Sequence, residues 1–368
     1  MGVIWLSNNA RKLAVMKSID AIIVPASRPV INLAYATQIA QLTGSILVTL
    51  CSRSVTASQA RNLTSQPSIN LNVDYQYNHE LLDGFFTNDC AQALTGRRLN
   101  DISIKRNLGL LLARLVGWQT ILYLDDDITY LEGLDATKMT LSEHGIMGWK
   151  VLNFPDNSVV RHAERLSGHE PGLSLSGSPL MIDTRFSDRF FPNIYNEDWL
   201  FFHELLGNTN PYIIGQAKQK AYDPFLTPMR AVGEEFGDLI AEGLRTLIRF
   251  GIPSHEATKL DWQDIINERQ ILIRDTSAQL LNISQSNMVR TAQASLQAAA
   301  TRLDSIRPED CTQYVQGWRK DRELWQLRYS RIPSDLTITA ALKYLKLDHA
   351  PIFTDRSIRL KHALGSVY

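Results

Sequence analysis

Over its first two-thirds the chain alternates short apolar runs with helical patterns, and this alternation limits its fold more than any other feature. Ala21–Val24 leads into Pro25-Ala26-Ser27-Arg28-Pro29 and a helical pattern from Val30 to Leu42. Ser45–Leu50 stops at Cys51-Ser52-Arg53, and Ile69–Tyr75 alternates as a third strand would. Residues 103–117 read as a helix capped by Gly117, and Thr120–Leu124 follows as a buried strand. Further strands are expected at 146–154, 173–183 and 211–222, with a short helix starting near Glu197. Strands interleaved with helices predict an α/β unit on a mostly parallel, Rossmann-like central sheet flanked by helices.

At 368 residues two compact units are expected. The character changes after Tyr222-Asp223-Pro224-Phe225, so the predicted boundary falls near 228: an α/β domain over 1–228 and a helical C-terminal domain over 229–368. Helical patterns run from about Arg230, from 255 to 281, from 287 to 303, and near 311–328 and 335–346. Zero formal net charge and 21% charged residues argue against a dedicated nucleic-acid or anionic-membrane surface. Three well-separated cysteines (Cys51, Cys90, Cys311) indicate neither a disulfide framework nor a zinc knuckle and fit a reducing compartment. The N-terminus lacks the pattern of a secretory signal, and no stretch reaches the roughly 18 apolar residues of a membrane span. The expected location is cytoplasmic.

In an open α/β sheet, ligands bind beyond the carboxyl ends of the strands. The chemistry-bearing residues gather there in the predicted layout. Arg28 follows the first strand, Arg53 the second, and Asp125-Asp126-Asp127 closes Thr120–Leu124. Asp125 and Asp127, one residue apart at a strand end, suit a hard divalent ion, Mg²⁺ or Mn²⁺, which keeps water and takes phosphate oxygens. Arg28, Arg53 and Arg106 are available as phosphate or nucleotide partners.

The run Arg106-Asn107-Leu108-Gly109, continuing through Ala113-Arg114 and Gly117-Trp118 to Asp125-Asp126-Asp127, resembles the donor-site signature of GT-A glycosyltransferases, especially glycosyltransferase family 2. Val24–Pro29 resembles their nucleotide-contacting first loop. Leu175–Ile182 is similar to the glycine-bearing acceptor-side segment, and Tyr195-Asn196-Glu197-Asp198-Trp199 to the Glu-Asp motif. The four motifs occur in family order across residues 20–225. The resemblance implies a GT-A fold and transfer of a sugar from a UDP- or GDP-linked donor to a hydroxyl acceptor, with Asp198 as general base in an inverting displacement. It also implies Mn²⁺ or Mg²⁺ on Asp125 and Asp127. Donor contacts are expected from Pro25, Ser27, Arg28, Ser52, Arg53, Arg106, Asn107 and Asp126, and acceptor contacts from Ser176, Gly177, Ser178, Glu197 and Trp199. Family members often carry an acidic residue where Cys51-Ser52-Arg53 stands here, which leaves the nucleotide open. Residues 211–230 contain no histidine for a third metal ligand. The helical domain is expected to shape the acceptor side or to form a homo-oligomer interface.

Each motif also has a plain structural reading. Three aspartates make a solvated turn, Glu197-Asp198 an acidic first helical turn, and Trp149 and Trp199 core residues. The main enzymatic rival is a haloacid-dehalogenase-type phosphatase, since Asp125-Asp126-Asp127-Ile128-Thr129 also fits a D-x-D-x-T nucleophile loop with Asp125 attacking phosphorus. Against it, that loop normally follows the first strand. Sugar-nucleotide pyrophosphorylases need a glycine-rich loop and lysine that are missing, and a non-catalytic interaction module leaves the acidic motifs unexplained. His203-Glu204-Leu205-Leu206-Gly207 fails as a zinc helix because Gly207 stands where a second histidine is required.

Overall fold

The computed structural model describes residues 19–64, 67–94, 101–134, 145–152, 158–169, 176–186, 189–208, 212–252, 261–347 and 352–353. Among these, the strands are β1 (Ala21–Ala26), β2 (Ile46–Cys51), β3 (Ser68–Asn72), β4 (Thr120–Tyr123), β5 (Ile128–Leu131), β6 (Ile146–Val151), β7 (Leu180–Asp183), β8 (Tyr212–Gln219) and β9 (Ile352–Phe353). They form one sheet in the order β5-β8-β6-β7-β4-β1-β2-β3-β9. Strands β1, β2, β3, β4, β6 and β8 point the same way; β5, β7 and β9 run against them. The protein is thus a mixed α/β structure on a mostly parallel sheet with a C-terminal helical region.

The helices are α1 (Ala34–Thr43), α2 (Ala57–Leu63), α3 (Phe86–Leu94), α4 (Ile102–Val116), α5 (Val159–Leu166), α6 (Glu197–Asn208), α7 (Pro228–Arg249), α8 (Trp262–Leu281), α9 (Asn287–Leu303), α10 (Pro308–Ser330) and α11 (Ile338–Tyr344). Side chains of β1 and β4 alternate between two apolar layers. Ile22, Val24 and Leu122 face a layer that includes Ile39 and Ala40 of α1, while Ile23, Ile121 and Tyr123 face α4 and the C-terminal helices. Gly117 ends α4 at φ +82°, the left-handed cap expected there. Gly109 lets α4 lie close on the sheet: a Cβ at that position would stand 2.7 Å from the Tyr123 hydroxyl and 2.9 Å from Ile23 Cδ1.

Several elements differ from expectation. The third strand ends at Asn72, β6 at Val151 and β8 at Gln219, each short of its expected end. Residues 176–179 bend instead of continuing a strand into β7; 173–175 lie outside the described residues. Strand β5 leaves the acidic triplet directly, and α2, α3, α5 and β9 are further elements that the pattern does not announce. Near 228 the chain does enter α7, with Thr227 capping and Pro228 in the first turn. The apolar core is nonetheless continuous across that point, since Leu111 and Tyr123 belong to the same cluster as Phe236, Leu296, Trp325 and Leu342. Asp321 of α10 accepts from the backbone N–H groups of Phe86 and Thr87 at 2.8 Å each, capping α3 from 234 or more residues away in sequence. Among the described residues no helix is long and apolar enough to cross a membrane.

A polar cluster ties α5 to the segment after β8 and to α7. His162 Nε2 lies 3.1 Å from the Tyr222 hydroxyl, which accepts from Arg230 at 2.9 Å, and Arg230 pairs with Glu234 at 2.7 Å. Glu234 also accepts from Val159 N–H at 2.8 Å. Burial, reinforced by Arg230 and Arg165, pushes the His162 imidazole down to about 3. An imidazole depressed on folding contributes stability that is present above its unfolded value and is lost as pH falls, because the unfolded chain then takes a proton the folded one refuses. Below about pH 6.5, His162→Gln should therefore lose stability less steeply than the wild type, by up to about 1.4 kcal/mol per pH unit. Urea unfolding from pH 7 to pH 4 measures this, and parallel slopes would show that the folded protein accepts the proton.

Candidate functional site

The strand order reverses beside β1, with β2 on one flank and β4 on the other, the position at which open α/β sheets bind ligands beyond their strand ends. The loop after β1 and the acidic triplet after β4 meet there. Asp126 is 1% exposed, and its Oδ2 accepts the backbone N–H groups of Ser27 at 2.7 Å and Arg28 at 2.8 Å. The Arg28 guanidinium pairs with Asp126 and, at 2.8 Å, with Asp127. Burial opposes its charge, but Asp127 and Asp126 outweigh that and raise its pKa. Asp126 is accordingly the brace of the first loop, and Arg28, 42% exposed, is the part of this cluster that solvent reaches.

Arg106 of α4 is the second centre. Its Nη1 lies 2.5 Å from Glu197 Oε1 and its Nη2 3.4 Å from Asp125 Oδ2, while the Phe191 ring sits 5.5 Å beneath the guanidinium. Burial again opposes the charge, and Asp125 and Glu197 together hold the pKa well above the ordinary arginine value. Gly177 is packed on this guanidinium so closely that any Cβ would collide with Arg106 Nη1. Gly177 N–H donates to Asp198 Oδ2 at 2.6 Å, and Trp199 N–H to Asp198 Oδ1 at 2.9 Å. Asp125 N–H donates to the Ser178 hydroxyl at 2.6 Å, and the Ser178 N–H to Ser176 Oγ at 3.1 Å. Arg106 thus joins the triplet, the 176–178 turn and the Glu197-Asp198 pair into one constellation, with Asp125 and Asp198 both half-exposed.

The remaining expected residues occupy varied positions. Pro25 is buried within β1. Both polar ends of the Asn107 amide are engaged by the Phe191 backbone, each at 2.8 Å, so Asn107 braces the 190–192 segment from behind. Ser52 is buried and accepts from Lys105 Nζ at 2.7 Å. Arg53 is exposed at φ +55°. Trp199 is half-buried against the core, with Arg245 5.8 Å from its ring. Two residues were not anticipated. Lys105, 1% exposed, also donates to the Ala26 carbonyl at 2.9 Å and pairs with Asp101 at 3.2 Å. It bolts the first two loops to α4, and burial lowers its pKa against the pull of Asp101. Lys220 N–H donates to the Asp127 carbonyl at 2.8 Å, placing the end of β8 beside the triplet. Polar residues at 105, 106 and 107, at the start of a helix apolar enough to be buried on every side, are the signal that would have found Lys105.

Among the described residues no cluster of three or more His, Cys, Asp or Glu side chains is arranged to hold a metal ion. Two carboxylates with water and substrate phosphate completing the shell are, however, the usual provision for Mg²⁺. Asp125 is half-exposed, while Asp127 is 5% exposed and pairs with Arg28 at 2.8 Å. Six carboxylates (Asp101, Asp125, Asp126, Asp127, Glu197, Asp198) stand around Arg28, Lys105 and Arg106, with Arg53 and Lys220 as further cations nearby. Searches of family models, curated proteins and solved structures find no match to this chain.

Removing Arg106 should take this cation from the buried Glu197 and one partner from the half-exposed Asp125. We expect Arg106→Met to cost about 3–5 kcal/mol in urea unfolding. Gly177→Ala, which drives a methyl into the guanidinium, should also be destabilising. An Arg106→Met protein within about 1 kcal/mol of wild type would show that the bridge is not what holds the three segments together.

Proposed function

We propose that this protein is a metal-dependent glycosyltransferase of the GT-A kind, transferring a sugar from a nucleoside-diphosphate sugar to a hydroxyl acceptor with inversion. The observation that carries the reading is the two-sided constellation about Arg106, with the acidic triplet on one side and the Glu197-Asp198 pair on the other. Inverting transfer asks for a carboxylate base besides the groups that hold the diphosphate, and the Glu197-Asp198 pair supplies a carboxylate outside the triplet. The parallel run β3-β2-β1-β4, followed by the reversed β7, supports the GT-A reading at the level of topology.

Asp125 and Asp127 would hold Mn²⁺ or Mg²⁺, which supplies electrophilic relief of the charge that builds on the leaving nucleoside diphosphate. Arg28, fixed at its backbone by Asp126 and solvent-exposed at its side chain, is suited to reach the diphosphate. Arg53 and Lys220 add positive charge at the rim. Asp198, oriented by two backbone N–H groups, takes the proton of the acceptor hydroxyl as its oxygen bonds to the anomeric carbon and the bond to the diphosphate breaks. The turn at 176–178 and Glu197 shape the acceptor side. The phosphatase reading is disfavoured by position: the triplet closes β4, not β1, and Asp125 is engaged by Arg106.

Asp127→Asn should abolish Mn²⁺-dependent binding of UDP or GDP, read by calorimetry, and unchanged affinity would sink the metal assignment. Asp198→Asn should bind donor as the wild type does while losing transfer about 10²–10⁴-fold. Retained turnover would mean a retaining mechanism or another base. A panel of nucleotide sugars, assayed for slow hydrolysis, names the donor.

A further inference from the structure

Asn196, the residue before the Glu197-Asp198 pair, has φ +65°. This left-handed conformation is one that asparagine tolerates better than most residues, though it persists only where the surroundings hold it. Its side-chain amide donates to Asp238 Oδ1 at 2.8 Å. Asp238 lies on α7, and its other oxygen accepts from Arg269 Nη2 of α8 at 2.6 Å. Arg269 is 1% exposed and also meets Glu235 at 2.5 and 2.8 Å and Glu242 at 2.8 Å; Glu242 in turn receives Arg161 of α5 at 2.6 Å. The backbone of α7 comes up against the same turn, since a Cβ at Gly237 would collide with the Tyr195 carbonyl oxygen.

Helix α7 therefore meets the turn that carries Asp198 directly, and α8 backs it through Arg269. A buried carboxylate at 238 is tolerable because Arg269 compensates it, and Arg269 is fixed in turn by three acidic partners. We infer that Asp238 and Arg269 are positioning residues for Asp198: through Asn196 they fix the turn that aims its carboxylate at Gly177, making the helical region a working wall of the crevice. This rests on the proposed role of Asp198 as base.

Asn196→Gly tests it with little risk to folding, because glycine keeps the left-handed backbone and deletes only the bond to Asp238. Hydrogen exchange of the Gly177 and Trp199 amides, both of which donate to Asp198, reads the aim of the carboxylate without any turnover. We expect exchange at Gly177 to quicken about tenfold while protection in the core of the sheet stays unchanged. A misaimed base should lower kcat by up to about a hundredfold, with the donor KM within about twofold of wild type. Asp238→Asn, which leaves one acceptor oxygen for the two donors Asn196 and Arg269, should act in the same direction, and the double variant should be no worse than Asp238→Asn alone. Unchanged Gly177 exchange in Asn196→Gly would overturn the inference, as would a kcat loss matched by an equal loss of donor affinity. If the wild type transfers no sugar from any nucleotide sugar, the proposed function fails, and the exchange result alone decides whether the helices hold this turn.

Discussion

A single buried guanidinium organises the crevice. Arg106 stands on a helix that is buried on nearly every side, so its charge is tolerable only because Asp125 and Glu197 reach it from segments 19 and 91 residues away in sequence. The dependence is mutual. Without Arg106 the buried Glu197 would lose this cation and Asp125 one of its partners, and without Gly177 the guanidinium would have no room. Such a centre is an unusual place to gain stability, because desolvating three charges costs several kcal/mol before their attraction returns anything. Its evident use is register: it fixes where the triplet, the 176–178 turn and the Glu197-Asp198 pair stand relative to one another.

The same economy recurs in the braces. Asp126 ties down two N–H groups of the first loop, Asn107 clamps Phe191, Lys105 joins two strand-end loops, and Asp321 caps a distant helix. In each case one polar side chain satisfies backbone groups of a loop or helix end that would otherwise lack a partner there. Arg28, Asp125 and Asp198 remain half-exposed beside these braces, while Asp126 and Asp127 are buried.

The central strands were legible in the sequence for a physical reason: Ala21–Ala26, Ile46–Cys51 and Thr120–Tyr123 are buried on both faces and must be apolar throughout. Gly117 was legible because only a left-handed cap suits it. Strand β5 was not, since Thr129 and Tyr130 are exposed and the four-residue run is masked by the acidic turn before it. Helix α2, short and polar, carries no clear period; only its Thr56–Gln59 capping box marks its start. At the site, the acidic residues could be read from type and spacing. The division of labour among them could not, because it depends on which atoms the backbone has already claimed. Nothing in the triplet itself says that Asp126 is spent on Ser27 and Arg28, and nothing near Asn196 announces a partner 42 residues further on.

Strand β9 pairs antiparallel with β3, matching Phe353 to Ile69 and Ile352 to Asn70. A strand made among the first seventy-odd residues thus receives its outer neighbour from a segment nearly three hundred residues later. During synthesis on the ribosome the nucleus of the sheet can pair while that flank still offers free N–H and C=O groups to any passing chain. Strand β9 covers that flank at two residues, so until it is made the outer edge of β3 stands open to strand pairing.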